Sequence, residues 1–136
     1  MALDPVLADE VRGWMTKAVL DLRAAAVDLA AQPPLVEDAL FHRQQAVEKA
    51  FKALLALHQR PFRKTHSLEE LGEQCLAIDT TLREVVDEAA PLSEYAWLHR
   101  YPGPDRAPDA EEAERSLAVA RRSMQAVEHR LPPEAT

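Results

Sequence analysis

The basic side chains of this sequence are concentrated in one segment, where they could hold a phosphate group or an acidic partner. Residues 42–66 carry six bases and one acid, whereas residues 1–41 carry three bases and seven acids and residues 67–136 carry seven and fifteen. The net charge of −7 argues against non-specific binding of nucleic acid or of an anionic membrane. The alternative for each basic residue is a solvated position on a helix face. The six bases are Arg43, Lys49, Lys52, Arg60, Arg63 and Lys64.

Three polar side chains of this segment each fall about one helical turn from the next. Gln45, Lys49 and Lys52 could together grip a nucleotide through amide and ammonium groups. The same stretch could instead join two subunits, with Glu48 and Lys49 making reciprocal contacts across a twofold axis. The spacing leaves both interpretations open.

The elements that position these side chains are predicted to be helices. The chain has only 3 Gly and 5% aromatic residues, which is poor material for sheets and hairpins. Apolar residues recur every three or four positions from Val6 to Leu29, and Pro33-Pro34 ends that helix. A second helix, from about Val36 to Leu57, has an unusually wide apolar surface and should contact more than one neighbour.

Capping patterns predict the remaining helices. Ser67 with Glu70 marks a short third helix, and Asp79, Thr80 or Thr81 can cap a fourth that Pro91 should bend or interrupt. Asp109 with Glu112 marks a final helix that runs to Leu131. We therefore predict an all-α fold, an antiparallel up-and-down bundle of four long helices plus a short one.

The length fits one domain over residues 1–136, with a core from about 6 to 131 and a frayed tail at 132–136. A lone cysteine, Cys75, excludes a disulfide framework, is expected in the core and fits a reducing cytoplasm. No apolar run approaches a membrane span. The histidines lack HxxxH or HExxH spacing, so the sequence predicts no metal and no other cofactor.

One stretch is more specific than helical periodicity. The run from Phe41 to Leu55, FHRQQAVEKAFKALL, followed by Lys64-Thr65-His66-Ser67-Leu68, resembles the HEPN domain family, as do Trp14, Asp21-Leu22 and the triplet Arg100-Tyr101-Pro102. The resemblance spans roughly residues 10 to 130. It implies a dimer-forming bundle of four or five helices, often encoded beside or fused to a minimal nucleotidyltransferase.

Other members of this family are metal-independent ribonucleases that use an arginine and a histidine separated by four to six residues. Arg60 and His66 have five residues between them and formally meet that rule. Histidine can move a proton from a ribose 2′-hydroxyl, and a guanidinium can stabilise charge on the phosphorane. His66 could instead fix its loop by bonding to loop carbonyls, Glu48 or Glu70, and Arg100 could face a phosphate or pair with an acid such as Glu94.

The leading hypothesis is a noncatalytic module that dimerises and binds a nucleotide, a minimal nucleotidyltransferase, or both, with a toxin–antitoxin pair as one setting. The alternatives are a metal-independent ribonuclease toxin that uses Arg60 and His66, and a plain protein-interaction adaptor. The candidate residues for nucleotide or partner binding are Gln45, Lys49, Lys52, Lys64, His66, Arg100 and Tyr101.

Overall fold

The first two helices form an antiparallel hairpin joined by residues 31–35. In the computed structural model, which describes residues 2–103 and 107–136, helix α1 spans Pro5–Ala30 and helix α2 spans Val36–Leu57. Asp4 caps α1 by accepting a hydrogen bond from the Val6 amide, and Pro5 occupies the first turn, where its missing N–H costs nothing. Both helices match their predicted bounds to within a residue.

Helix α2 is the central element of the bundle. It packs against α1, the third helix, the fifth helix and the 3-10 helix at Ala90–Ala96, which confirms that its wide apolar surface serves several neighbours. Phe51, Leu54 and Leu55 are completely buried or nearly so. The buried positions of α2 also include charged side chains that an apolar pattern does not predict, among them Arg43, Glu48 and Lys52.

The third helix and the segment after it begin at the predicted caps. The third helix is continuous, whereas the segment after it is divided into short pieces. Helix α3 spans Leu68–Ile78, and the Ser67 hydroxyl accepts a hydrogen bond from the Glu70 amide at 3.1 Å. After Asp79, the chain forms a 3-10 turn at Thr80–Leu82, helix α4 at Arg83–Ala89 and a 3-10 helix at Ala90–Ala96 that contains Pro91. Pro91 therefore interrupts the fourth helix, because proline cannot donate the hydrogen bond that a continuing α-helix needs.

The final helix, α5, spans Ala110–Glu128, and Asp109 caps it by accepting from the Glu112 amide at 2.8 Å. The last residues do not fray as expected. They form a 3-10 turn at Pro133–Ala135 that packs on α1, with Ala135 fully buried. The methyl group of Ala135 is removed from water only when this turn packs on α1, so its burial favours the docked position of the last residues.

Within the described ranges, all regular secondary structure is helical. α1 and α2 run antiparallel, as do the segment from Thr80 to Ala96 and α5. The two pairs meet where α2 packs on α5, and α3 packs against α2 and against the segment from Thr80 to Ala96. Two ends of the bundle can therefore be distinguished. The start of α1, the end of α2 and the end of α5 lie at one end, and the hairpin loop 31–35 lies at the other.

Candidate functional site

Glu48, in the middle of α2, is the centre of a buried polar cluster. Its carboxylate lies 2.7 Å from Nδ1 of His66 and 3.3 Å from Nζ of Lys52, and the side chain of Glu48 is only 4% exposed. The Nε2 amide of Gln44 donates at 3.1 Å to the His66 carbonyl. Loop residues before α3 are thus fixed against α2. The imidazole itself is on the surface, because the His66 side chain is 65% exposed.

Lys52 is held inside the molecule rather than presented to solvent. Its ammonium lies 5.4 Å from the ring centre of Trp14 and 5.6 Å from that of Phe62, in addition to its contact with Glu48. The two rings meet edge to face at 6.0 Å. Trp14 therefore packs beside α2, and the ammonium of Lys52 contacts one carboxylate and two aromatic rings.

The three polar residues predicted to act together on α2 are not brought together. Gln45 is buried and its amide donates to the Oε1 of Gln44 at 2.7 Å, whereas Lys49 contacts Oδ2 of Asp21 on α1 at 2.5 Å. Each of Gln45, Lys49 and Lys52 has its own intramolecular partner. The alternative of reciprocal contacts across a twofold axis is not available to Glu48, which is buried in its own subunit.

Three of the six bases, Arg60, Arg63 and Lys64, lie in residues 58–66, which we call the basic loop. Arg63 reaches Glu70 at 2.6 Å. Arg60 and Lys64 are exposed, and no carboxylate in the described part of the chain forms an ion pair with either. His58 is also exposed, next to Gln59, whose φ of 52° turns the chain out of α2. The basic loop therefore carries two exposed cations without a carboxylate partner, next to the exposed ring of His66.

Arg100 and Tyr101 lie at the other end of the bundle. Arg100 donates to Oδ1 of Asp38 at 2.8 Å, and its guanidinium lies 4.0 Å from the ring centre of Phe41, so Glu94 is not its partner. Tyr101 is 78% exposed. Neither residue is near the basic loop, so the predicted binding residues divide between two surfaces.

Arg43 has a structural role, although the sequence grouped it with the other basic residues of the segment 42–66. It is 2% exposed, and its Nη1 donates to the Ala113 carbonyl at 2.6 Å and to the Ser116 hydroxyl at 2.9 Å. Burial lowers the pKa of this guanidinium. Arg43 thus joins α2 to α5 through a hydrogen-bonded contact inside the core.

A second arginine and histidine also have the spacing of the ribonuclease rule. Arg122 and His129 have six residues between them and lie two turns apart at the end of α5. Arg122 contacts Glu88 at 2.8 Å, and His129 is exposed. A count of intervening residues therefore finds two pairs in this chain, one in the basic loop and one on α5.

Comparison with known families identifies the chain. The model of the HEPN domain family matches residues 11–130, which is most of the sequence and includes α1 from Val11 onward and all of α2 and α5. The chain belongs to the HEPN domain family. No curated protein and no solved structure was found to match it. The predicted resemblance is confirmed, as is the all-α fold.

The geometry explains part of the HEPN resemblance in physical terms. In the run from Gln44 to Lys52, every polar residue except the half-buried Lys49 is buried and stabilises the bundle. Gln44 and Glu48 anchor the His66 segment, and Lys52 packs against two aromatic rings. Within the described ranges, no helix is long and apolar enough to cross a membrane.

Proposed function

We propose that this HEPN domain binds the phosphates of a nucleotide through its basic loop. The observation that carries the proposal is the contrast in charge pairing: Lys49 and Lys52 have carboxylate partners, whereas Arg60 and Lys64 are exposed without one among the described residues. A phosphate would supply the missing countercharge.

His66 supports the same surface. Its Nδ1 contacts Glu48, which fixes the ring, and Nε2 is the nitrogen left to contact a ligand. Because the ring is mostly exposed, a phosphate oxygen could approach it without displacing core side chains. We assign the binding role to Arg60, Lys64 and His66, while Gln45, Lys49 and Lys52 hold the fold that presents them.

We further propose that the domain works as a cytoplasmic homodimer beside a minimal nucleotidyltransferase, within a toxin–antitoxin pair. HEPN domains often oligomerise. Arg100 and exposed Tyr101 offer a second polar surface, at the opposite end of the bundle, for that protein partner.

Isothermal titration with ATP tests the nucleotide proposal. The parent should bind, and Lys64→Ala should weaken binding at least several-fold, because a charge-assisted contact is lost. Lys17→Ala is the matched control, since Lys17 is an exposed lysine on α1 outside the basic loop. Absence of binding by the parent, or equal weakening in both variants, would reject the proposal.

A second function, ribonuclease activity, is favoured by one observation: a buried carboxylate holds Nδ1 of an exposed histidine, an arrangement that suits a general base. Incubating the protein with RNA in the presence of a chelator tests it. Cleavage that His66→Ala and Arg60→Ala both abolish and His129→Ala leaves unchanged would support Arg60 and His66 as the pair. Intact RNA with the parent would exclude this function.

A further inference from the structure

A second polar cluster lies at the hairpin-loop end of the bundle, outside the basic loop. One potential ligand atom from each of Asp28, Asp38 and His42 lies within 4.8 Å of the other two. Asp28 is near the end of α1, and Asp38 and His42 lie one turn apart on α2. The cluster therefore spans the loop that joins the two helices.

Asp21, which is not part of this cluster, orients the imidazole of His42. Its Nδ1 lies 2.8 Å from Oδ1 of Asp21, whose other oxygen contacts Lys49. When Nδ1 carries the hydrogen and donates it to Asp21, the neutral ring presents a lone pair at Nε2. Histidines that bind metal ions are commonly fixed this way, with a carboxylate on the second nitrogen.

The distance between the ligand atoms of His42 and Asp38 suits a small cation. Nε2 of His42 lies 3.3 Å from Oδ2 of Asp38. Two ligands of a tetrahedral ion, each about 2.0–2.1 Å from the metal, lie about 3.3 Å apart. The third residue supplies a buried acceptor: among the described residues, no hydrogen-bond donor reaches Oδ2 of Asp28. A buried oxygen in that state is costly, and a cation would satisfy it.

We propose that Asp28, Asp38 and His42 bind one zinc ion. Imidazole and carboxylate are both zinc ligands, and three protein ligands leave a fourth position for water. Asp38 also lines an open cleft of about 460 Å³ with His99 and Arg100, which gives solvent access to the site.

The surrounding charges are compatible with a divalent ion. The cluster and Asp21 contribute three carboxylates, and Lys49 and Arg100 contribute two positive charges through their contacts with Asp21 and Asp38. One negative charge remains before zinc binds. The ion would link α1 to α2 across the hairpin loop, so binding should stabilise the folded chain.

The experiment uses the full chain after treatment with a chelator. Zinc titration followed by calorimetry should show one ion per chain and a rise in melting temperature, and cobalt should give the visible absorption of a tetrahedral site. Asp28→Asn, which keeps the shape of the side chain, should weaken zinc binding roughly ten-fold or more. His42→Ala should abolish it.

Matched controls separate this site from adventitious surface binding. Asp87→Asn and His129→Ala alter exposed residues outside the cluster and should leave zinc affinity unchanged. Asp21→Asn tests the positioning role and should weaken zinc roughly ten-fold while the stoichiometry stays at one. Absence of zinc binding by the parent, or equal losses in control and cluster variants, would overturn the proposal.

Discussion

Glu48 belongs to the family motif, but its carboxylate contacts other side chains of the interior and is not presented to a ligand. It is almost completely buried, yet it contacts His66 and Lys52, two residues that the sequence pattern assigned to binding. Buried charges are tolerated when they are paired and hydrogen-bonded, and Glu48 satisfies both conditions. Its removal would leave Lys52 without a countercharge.

We predict that Glu48→Gln lowers the free energy of unfolding by about 3 kcal/mol, because a buried ion pair loses one member. Urea denaturation measures the change. Glu10→Gln removes an exposed carboxylate from α1 and should alter stability by less than about 0.5 kcal/mol. Similar values for the two variants would show that the Glu48 contacts contribute little.

Cys75 gives a prediction about pH. Burial raises the pKa of its thiol from 9.0 to about 12, so the folded state disfavours the thiolate. The resulting stability is fully present below pH 9 and is lost as the pH rises toward 12. Cys75→Ala should therefore reduce the loss of stability between pH 9 and 11, measured by urea denaturation at each pH. An unchanged pH profile would contradict this assignment.

The site could be predicted only in part because sequence spacing reports neighbours along one helix. The bond between His66 and Glu48 was one of the alternatives that the sequence offered, and both residues belong to the family motif. The contacts of Lys49 with Asp21 and of Arg100 with Asp38 join residues that are far apart in the chain. Such pairs depend on how helices pack, which periodicity does not specify.

At the scale of elements, the capping residues predicted correctly where helices begin. The spacing of apolar residues did not predict that the fourth segment would be divided. Ser67, Asp79 and Asp109 all cap where expected, since side-chain acceptors satisfy amides that helix starts leave free. The fourth segment is three short pieces rather than one long helix. Pro91 is visible in the sequence, but the contacts that stabilise a 3-10 helix there, such as Tyr95 with Glu112, are tertiary.

Two helical glycines give opposite predictions. A Cβ added at Gly72 of α3 would lie 2.5 Å from Cγ1 of Val86 on α4, whereas one added at Gly13 of α1 would meet nothing within 4 Å. Gly72→Ala should destabilise the protein by about 1–3 kcal/mol through overpacking. Gly13→Ala should stabilise it by about 0.5–1 kcal/mol, because alanine favours helix.

Thermal and urea unfolding of both glycine variants would measure these changes. Adding Val86→Ala to Gly72→Ala should cost less than the sum of the single changes, since the smaller side chain removes the clash. Equal effects at Gly13 and Gly72 would mean that α3 and α4 do not approach each other as closely as the structure shows.

At the scale of the molecule, α1 leaves an apolar stripe uncovered. Val6, Leu20 and Val27 are exposed and spaced by multiples of about two turns, and Val19 adjoins them. An uncovered apolar stripe of this length is typical of a contact surface. We assign it to the proposed dimer, in place of the polar residues of α2.

We predict that the parent scatters light as a particle of twice its 15.2 kDa monomer mass. Leu20→Asp together with Val27→Asp should give the monomer, because charge in an apolar interface is costly. Leu35→Asp introduces the same chemistry at an exposed residue outside the stripe and should remain dimeric. A monomeric parent would refute the dimer, and a dimeric double variant would refute this surface.

The docked 3-10 turn at Pro133–Ala135 affects how the domain can be joined to other proteins. Glu134 accepts from the Leu3 amide at 3.5 Å and from Arg12, so the N- and C-terminal segments meet beside the start of α1. Arg60 and Phe62 of the basic loop line a cleft with Leu7 and Glu10 at that same end. A domain fused to either terminus would therefore stand next to the loop, and a purification tag placed there would compete for space with the nucleotide that we propose binds to it.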